Sequence, residues 1–202
     1  MSATQAPVDV TVLRGEIQKT YTEVSAEQKR DFIFPTGRAW AEDLDYPQPE
    51  LSRVPDATVG SFAGVANPFS LGRIAPGETV LDLGCGAGTD LLIAAQMAGP
   101  TGSVIGVDMT PAMLHRARDS AAAMGLTNVE LHESLVERLP LPDAGVDVVI
   151  SNGVIDLVPD KDAVFSELDR VLRPGGRLQL ADVVIHTEVS EDARKRIDLW
   201  TG

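Results

Sequence analysis

Apolar positions recur along this chain with two different periods, and the changes between them mark out the elements. Val10, Leu13, Ile17, Tyr21 and Val24 stand three and four apart, while Arg14, Glu16, Lys19 and Glu23 fall between them; the spacing predicts an amphipathic helix over residues 9–29. From Asp31 to Leu71 prolines and glycines interrupt every pattern, so only short helices fit, over Arg38–Asp43 and over Asp56–Phe62. Beyond that point short apolar runs alternate with helical periodicity. Val80, Leu81 and Leu83 read as a strand, followed by a helix from Gly88 or Thr89 to Ala98. Ser103–Asp108 is a second strand. Thr110 then caps a helix that has Pro111 at its first position and Met113, Leu114, Ala117, Ala121 and Met124 on its apolar face, ended by Gly125.

Val129, Leu131 and Glu133 alternate as a third strand, and the rigid turn 139–143 leads to a fourth, Val146–Ser151, whose unbroken apolar run predicts burial on both faces. Asp160 caps a helix with Val164, Phe165, Leu168 and Leu172 inward; the turn at 173–176 leads to a fifth strand, Arg177–Val184, and residues 188–200 form one more helix. Strand alternating with helix is the pattern of a mostly parallel sheet with helices on both faces, a three-layer αβα sandwich that binds its ligand at the carboxyl ends of the strands. Residues 1–71 are expected as a helical cap or lid and residues 72–202 as the core.

The first strand runs into Gly84, Gly86 and Gly88, where a Cβ would obstruct either the tight turn or a ligand lying on the backbone. Dinucleotide loops space their glycines G-x-G-x-x-G; here the spacing is G-x-G-x-G, with Asp82 two residues ahead of it. A carboxylate there would repel a pyrophosphate and attract an ammonium group. The second strand ends in Asp108, about twenty residues beyond the loop, where a carboxylate can accept both ribose hydroxyls. A cationic, amino-acid-bearing nucleoside fits both acids, which points to S-adenosylmethionine and its product S-adenosylhomocysteine.

Composition narrows the partners. Thirty acidic against 17 basic residues give a formal charge of −13, which repels nucleic-acid phosphates and anionic membrane surfaces. No apolar run reaches the roughly 20 residues needed to span a bilayer, and Met1–Val12 has no basic region followed by an apolar stretch, so a cytoplasmic chain is expected. The hydrophobic fraction, 44%, suffices for a core, and the single cysteine excludes an internal disulfide. A small-molecule acceptor is expected, without nucleic acid, membrane or a metal site.

Residues 81–88, Gly106-Val107-Asp108, Leu139-Pro140, 147–152 and 170–176 resemble, in order, the motifs of class I S-adenosylmethionine-dependent methyltransferases, over roughly residues 70 to 185. Phe34-Pro35-Thr36-Gly37-Arg38, Asn67-Pro68-Phe69, Val107-Asp108-Met109-Thr110-Pro111 and Asp198-Leu199-Trp200-Thr201-Gly202 are similar to the arsenite methyltransferase branch. The resemblance implies a Rossmann-like fold. Asp82 would take the methionine ammonium, with the backbone of Gly84, Cys85, Gly86 and Gly88 around the sugar and amino-acid portion. Asp108 would hold the ribose, Met109 would pack on adenine with Leu135, Val136 and Glu137 nearby, and Asn152 with Gly153 would face the methionine moiety and the acceptor. It also implies thiolate ligands for the metalloid, at positions that here are Val65, Gly153 and the one beyond Gly202. Cys85 alone cannot form a three-coordinate thiolate site for As(III). A carbon, oxygen or nitrogen acceptor therefore stays open beside the metalloid, as does a non-catalytic cofactor-binding subunit.

Candidate bases are few. His186 follows the fifth strand at the mouth of the expected site, and its ordinary pKa suits base chemistry; Tyr21 could reach the cofactor or acceptor. Asp156 and Asp182 lie beyond strand ends and could orient an acceptor, although loop solvation is the plainer reading. The class I fold ends in a hairpin of two further strands, which are expected to be missing here. The fifth strand would then keep an open edge for a second copy or a partner chain to cover.

Overall fold

A computed structural model of the chain describes residues 8–26, 34–194, 196, 197 and 200. Its centre is a sheet of five parallel strands: β1 (Thr79–Leu83), β2 (Ser103–Asp108), β3 (Val129–Glu133), β4 (Val146–Asn152) and β5 (Leu172–Ala181), in the spatial order β3-β2-β1-β4-β5. The order reverses between β1 and β4, and the crevice outside the carboxyl ends at such a switch point is where open α/β sheets bind ligands. Side chains alternate across the sheet. Val80, Val104, Val148 and Ile150 face α5 (Thr89–Ala98) and α6 (Pro111–Ala123), whereas Leu81, Leu83, Ile105, Val107 and Val149 face α7 (Lys161–Val171). Burial of the inner strands on both faces accounts for their unbroken apolar runs.

The same alternation places the polar residues. Asp82 shares parity with Val80, Gly106 and Asp108 with Val104, and Asn152 with Val148 and Ile150; parallel pairing of Asp82 with both Gly106 and Ile150 sets all of them on the α5 side. The N-terminal segments close that side. α1 (Val10–Ala26) buries Leu13, Ile17 and Val24, and Asp9 caps it by accepting from the N–H groups of Thr11 and Val12. α2 (Arg38–Asp43), α3 (Gln48–Leu51), α4 (Asp56–Val59), a 3-10 turn, Pro68–Leu71, and the segments between them contribute Tyr46, Leu51, Val59, Phe62 and Phe69 to the apolar cluster that holds α5. Gln179 on β5, 1% exposed, donates to the carbonyls of Pro68 and Gly72 and so ties the last lid turn to the sheet.

Several expectations are corrected. β5 starts at Leu172 because Arg173–Gly176 bulges within it, with Gly175 at φ 84° and pairing that jumps from Val146–Leu172 to Val148–Arg177. It stops at Ala181, since the Asp182 carboxylate turns back to accept from the N–H groups of Ile155 and Val183; Val183 and Val184 are exposed. Phe165 is 47% exposed and Val171 takes the inward place, because an inward line through Val164 and Leu168 continues three residues on, at 171. Thr110 makes no side-chain cap; Asp108 Oδ1 accepts from its N–H instead, at 2.7 Å. Within residues 188–200 the described helix is α8 (Glu191–Arg194) alone; the expected ends of the first helix, residues 27–29, and the motif positions 198, 199, 201 and 202 lie outside the described residues. Among the described residues, no helix is long and apolar enough to cross a membrane.

Gly106 shows how tightly the sheet is packed under α5: a Cβ there would stand 2.8 Å from Cys85 Sγ and Leu131 Cδ2 and 2.9 Å from Leu91 Cδ1. Gly106→Ala is expected to cost about 1–3 kcal/mol in urea-induced unfolding, the ordinary penalty for overpacking a filled core.

Candidate cofactor and acceptor site

One cavity opens at the carboxyl ends of β1, β2 and β4. Asp82, Gly84, Cys85, Gly86, Gly88, Asp108, Met109, Leu135, Val136, Glu137, Asn152 and Gly153 all line it, together with Tyr21 of α1 and Phe62–Gly64 of the lid. The three loop glycines serve three purposes. All have positive φ, at 71°, 51° and 96°. A Cβ on Gly84 would strike Val154 at 2.5 Å and one on Gly88 would press on Ala117 of α6 at 3.0 Å; only Gly86 has nothing within 4 Å, so it alone faces open space where a ligand can lie on the backbone.

The charged floor is built from carboxyl groups. Asp82 is 2% exposed and Asp90, in the first turn of α5, 7%; Asp82 Oδ2 and Asp90 Oδ1 are buried with no hydrogen-bond partner. Burial, with the neighbouring charges of Asp90 and Asp108, holds Asp82 well above the ordinary carboxylate range. Burial raises Asp90 too, against bonds from Tyr46 and Asn152 that favour its charged form. Asp108 is raised by burial and steadied by two backbone donors, Gly86 N–H at 2.9 Å on Oδ2 and Thr110 N–H on Oδ1. The Met109 N–H and the Thr110 side chain add to these, so the carboxylate fixes the glycine loop to the turn after β2.

The α1 helix roofs the end of the cavity at Met109 and Glu137. Arg14 pairs with Glu137 at 2.8 Å and Gln18 Nε2 donates to the Met109 carbonyl at 2.7 Å. Tyr21 stacks on Phe34, ring centroids 6.5 Å apart; burial and the charges of Asp156, Asp108 and Asp182 push its phenol far upward, so it stays neutral. Cys85 is buried and its thiol is likewise pushed up, which leaves no thiolate at neutral pH. At the other end Asn152 holds the lid: Oδ1 accepts from Val65 N–H at 2.7 Å and Ala66 N–H at 3.2 Å. Val65 and Gly153 face each other, with Val65 Cγ1 only 3.3 Å from where a Gly153 Cβ would stand. Asp156, beside Asp182, is pushed up to about 7 by burial and by that neighbour.

His186 is exposed and does not line the cavity, because β5 ends five residues before it. Arg14, Gln18, Tyr46 and Asp90 escaped sequence reasoning. Asp90 carried the one visible signal, but an acid in the first turn of a helix is ordinarily read as favouring the helix dipole.

Comparison with known proteins agrees with this geometry. Residues 74–201 match the family described as methyltransferase domain. An arsenite methyltransferase of Halobacterium salinarum is 45% identical over 168 residues, 83% of this chain and 42% of the relative. A demethylmenaquinone methyltransferase of Listeria monocytogenes is 38% identical over 114 residues, 56% of this chain and 48% of that protein. An arsenic(III) S-adenosylmethionine methyltransferase from Chlamydomonas reinhardtii superposes with a TM-score of 0.67 at 39% identity, covering 72% of this chain and 51% of that one. The chain thus spans about two fifths to one half of the length of these relatives. It belongs to the methyltransferase-domain family, with the Rossmann-like class I fold of S-adenosylmethionine-binding enzymes, and is homologous to the arsenite methyltransferases.

Proposed function

We propose that this chain binds S-adenosylmethionine in the cavity and directs its methyl group to a small-molecule acceptor beneath the lid. The observation that carries this reading is the pair of buried, unpartnered carboxyl oxygens on Asp82 and Asp90. Among the described lining residues the one basic side chain, Arg14, is already paired with Glu137, so the floor awaits a cation from outside. The amino-acid ammonium of the cofactor supplies it. Asp108, at the cavity wall, takes the ribose hydroxyls, and Met109, Leu135 and Val136 flank the base.

When bound, S-adenosylmethionine supplies an electrophilic methyl group on a sulfonium. The protein has then to hold donor and acceptor in line and keep water out. Tyr21, Phe62 and the Ala63–Gly64 backbone enclose the acceptor side, and neutral Tyr21 orients rather than deprotonates. The homologous enzymes named for arsenite make As(III) the first acceptor to test. Val65 and Gly153, packed against each other, favour a second reading, a carbon, oxygen or nitrogen centre of a small metabolite, since this segment offers no thiolate pair to grip a metalloid.

Calorimetric titration with S-adenosylhomocysteine tests the donor half. The parent chain is expected to bind, and Asp108→Asn to bind about ten- to a hundredfold more weakly, the loss of charge-assisted hydrogen bonds worth about 1.5–3 kcal/mol. A folded parent that does not bind overturns the reading. Methyl-transfer assays with arsenite and with small hydroxyl, amine and activated-carbon acceptors then separate the two acceptor classes.

A second prediction concerns the cost of the empty floor. Asp90 and Asp82 have raised pKa values in the folded chain, so above about pH 4 the unfolded chain releases protons that the folded chain still holds. Their contribution to stability is therefore largest in acid and is lost as pH rises through the folded-state values. Asp90→Asn, which keeps an acceptor for Asn152, is expected to stabilise the ligand-free chain by an amount that grows between pH 4 and pH 8 to about 1–3 kcal/mol, measured by urea unfolding. The same variant should bind S-adenosylhomocysteine more weakly.

A further inference from the structure

One stretch of the cavity wall, residues 153–159, carries an acid that the proposed chemistry leaves unused. Gly153, Val154, Leu157, Val158 and Pro159 line the cavity, and Asp156 belongs to the 3-10 turn Ile155–Leu157 within the same stretch. Its Oδ1 is buried without a partner. Beside it Asp182, just past β5, is fixed by the N–H groups of Ile155 at 2.9 Å, Asp156 at 3.3 Å and Val183 at 2.8 Å. Lys161 of α7 bears on both acids with its charge, but its ammonium donates to the carbonyls of Asp156 at 3.0 Å and Val158 at 2.9 Å and stands 5.7 Å from the Trp200 ring. On the cavity side Tyr21, a lining residue, lies in the field of Asp156, Asp108 and Asp182, and its phenol is neutral. On the floor Asp82 and Asp90, 2% and 7% exposed, each leave one oxygen without a partner. The cavity therefore holds more negative charge than one ammonium group answers.

We propose that Asp156 and Asp182 set specificity for the donor by charge: they favour the sulfonium of S-adenosylmethionine over the neutral thioether of S-adenosylhomocysteine, so the site holds its substrate more tightly than its product. This rests on the reading of the cavity as the S-adenosylmethionine site. Both ligands carry the same nucleoside and the same amino-acid ammonium, so Asp82, Asp90 and Asp108 engage them alike. The two differ by one methyl group and one positive charge. In that reading the methyl points to the side that Tyr21 encloses, and the charge it bears meets the acid pair there. Opposite charges facing each other through such a wall, at an effective dielectric constant of about 20, change affinity by about tenfold. Methyl transfer carries the positive charge toward the acceptor, on the same side as the pair, so the attraction persists in the transition state. Once the S–C bond has broken, its electron pair stays on sulfur. The product keeps only the contacts common to both ligands and leaves more readily.

The quantity to measure is the dissociation constant of S-adenosylhomocysteine divided by that of S-adenosylmethionine, by calorimetry on the full chain without an acceptor, at pH 6 and at pH 8. Burial and the neighbouring Asp182 place Asp156 at about 7, against the opposing charge of Lys161, so Asp156 gains its charge between the two conditions. The parent ratio is expected at about thirtyfold at pH 8 and about tenfold at pH 6, of which about fourfold is the burial of the extra methyl group. Asp156→Asn should give about tenfold at both pH values, and Lys161→Met, which removes the opposing cation, should raise the ratio above the parent's. A variant that merely loosened the wall would weaken both ligands and leave the ratio unchanged. A parent that binds S-adenosylhomocysteine as tightly as S-adenosylmethionine or more tightly, a parent ratio that does not change with pH, or an Asp156→Asn chain that keeps the parent's pH dependence overturns the proposal and leaves the cofactor reading intact. The pH comparison is read on the parent itself and needs no variant to fold. A folded parent that binds neither ligand overturns the cofactor reading and the proposal together.

Discussion

Three carboxyl groups crowd the carboxyl ends of two neighbouring strands with no free base among the described residues around them, and much of the site answers to that constraint. Asp82, Asp90 and Asp108 are each held above the ordinary carboxylate range, chiefly by burial. A chain selected for stability alone would place apolar or paired groups there. The surroundings instead soften the penalty piecemeal: backbone N–H groups on Asp108, the Tyr46 hydroxyl and the Asn152 amide on Asp90, one backbone donor on Asp82. Asp82 Oδ2 and Asp90 Oδ1 remain buried without a partner, on residues that line the cavity.

Strand register makes this possible. Parallel pairing brings Asp82, Gly106 and Ile150 level with one another, so parity puts Asp108 and Asn152 on the same face as Asp82. That face is also the one covered by α5, α6 and the lid. The N-terminal segments share the core with the sheet: Phe62 and Phe69 each pack edge-on to Tyr46 within the cluster that buries α5. Their polar ends are fastened to the sheet by two amide side chains: Asn152 on β4, which accepts from the N–H and donates to the carbonyl of Ala66, and Gln179 on β5, which donates to the carbonyls of Pro68 and Gly72.

Homology and chemistry diverge at the acceptor. The relatives that this chain matches include methyltransferases named for arsenite and for demethylmenaquinone. On the acceptor side the contact between Val65 and Gly153 fills with apolar packing a place where a pair of side chains could otherwise have projected. Specificity in such a site is set by a handful of wall positions on loops, which vary without disturbing the sheet that presents them.

The α/β order, the five strands, the glycine loop and the two strand-end acids were legible in the sequence, because each depends on local periodicity or on short spacing within one strand-turn-helix unit. The twelve residues assigned to the cofactor by motif do line one cavity for the same reason. Asp90, Tyr46, Arg14 and Gln18 were not legible. Each acts through a partner far away in sequence, Asp90 and Tyr46 through Asn152, Arg14 through Glu137 and Gln18 through Met109, and no local pattern encodes such a meeting. His186 failed in the opposite way: proximity in sequence to a strand end promised the site, but Asp182 turned the chain outward first. Sequence by itself determined which strands and helices form and in what order, because local periodicity and turn residues encode them; which buried groups meet, and which are left without a partner, was decided only by tertiary packing, since burial and pairing are properties of the assembled sheet and the segments packed on it.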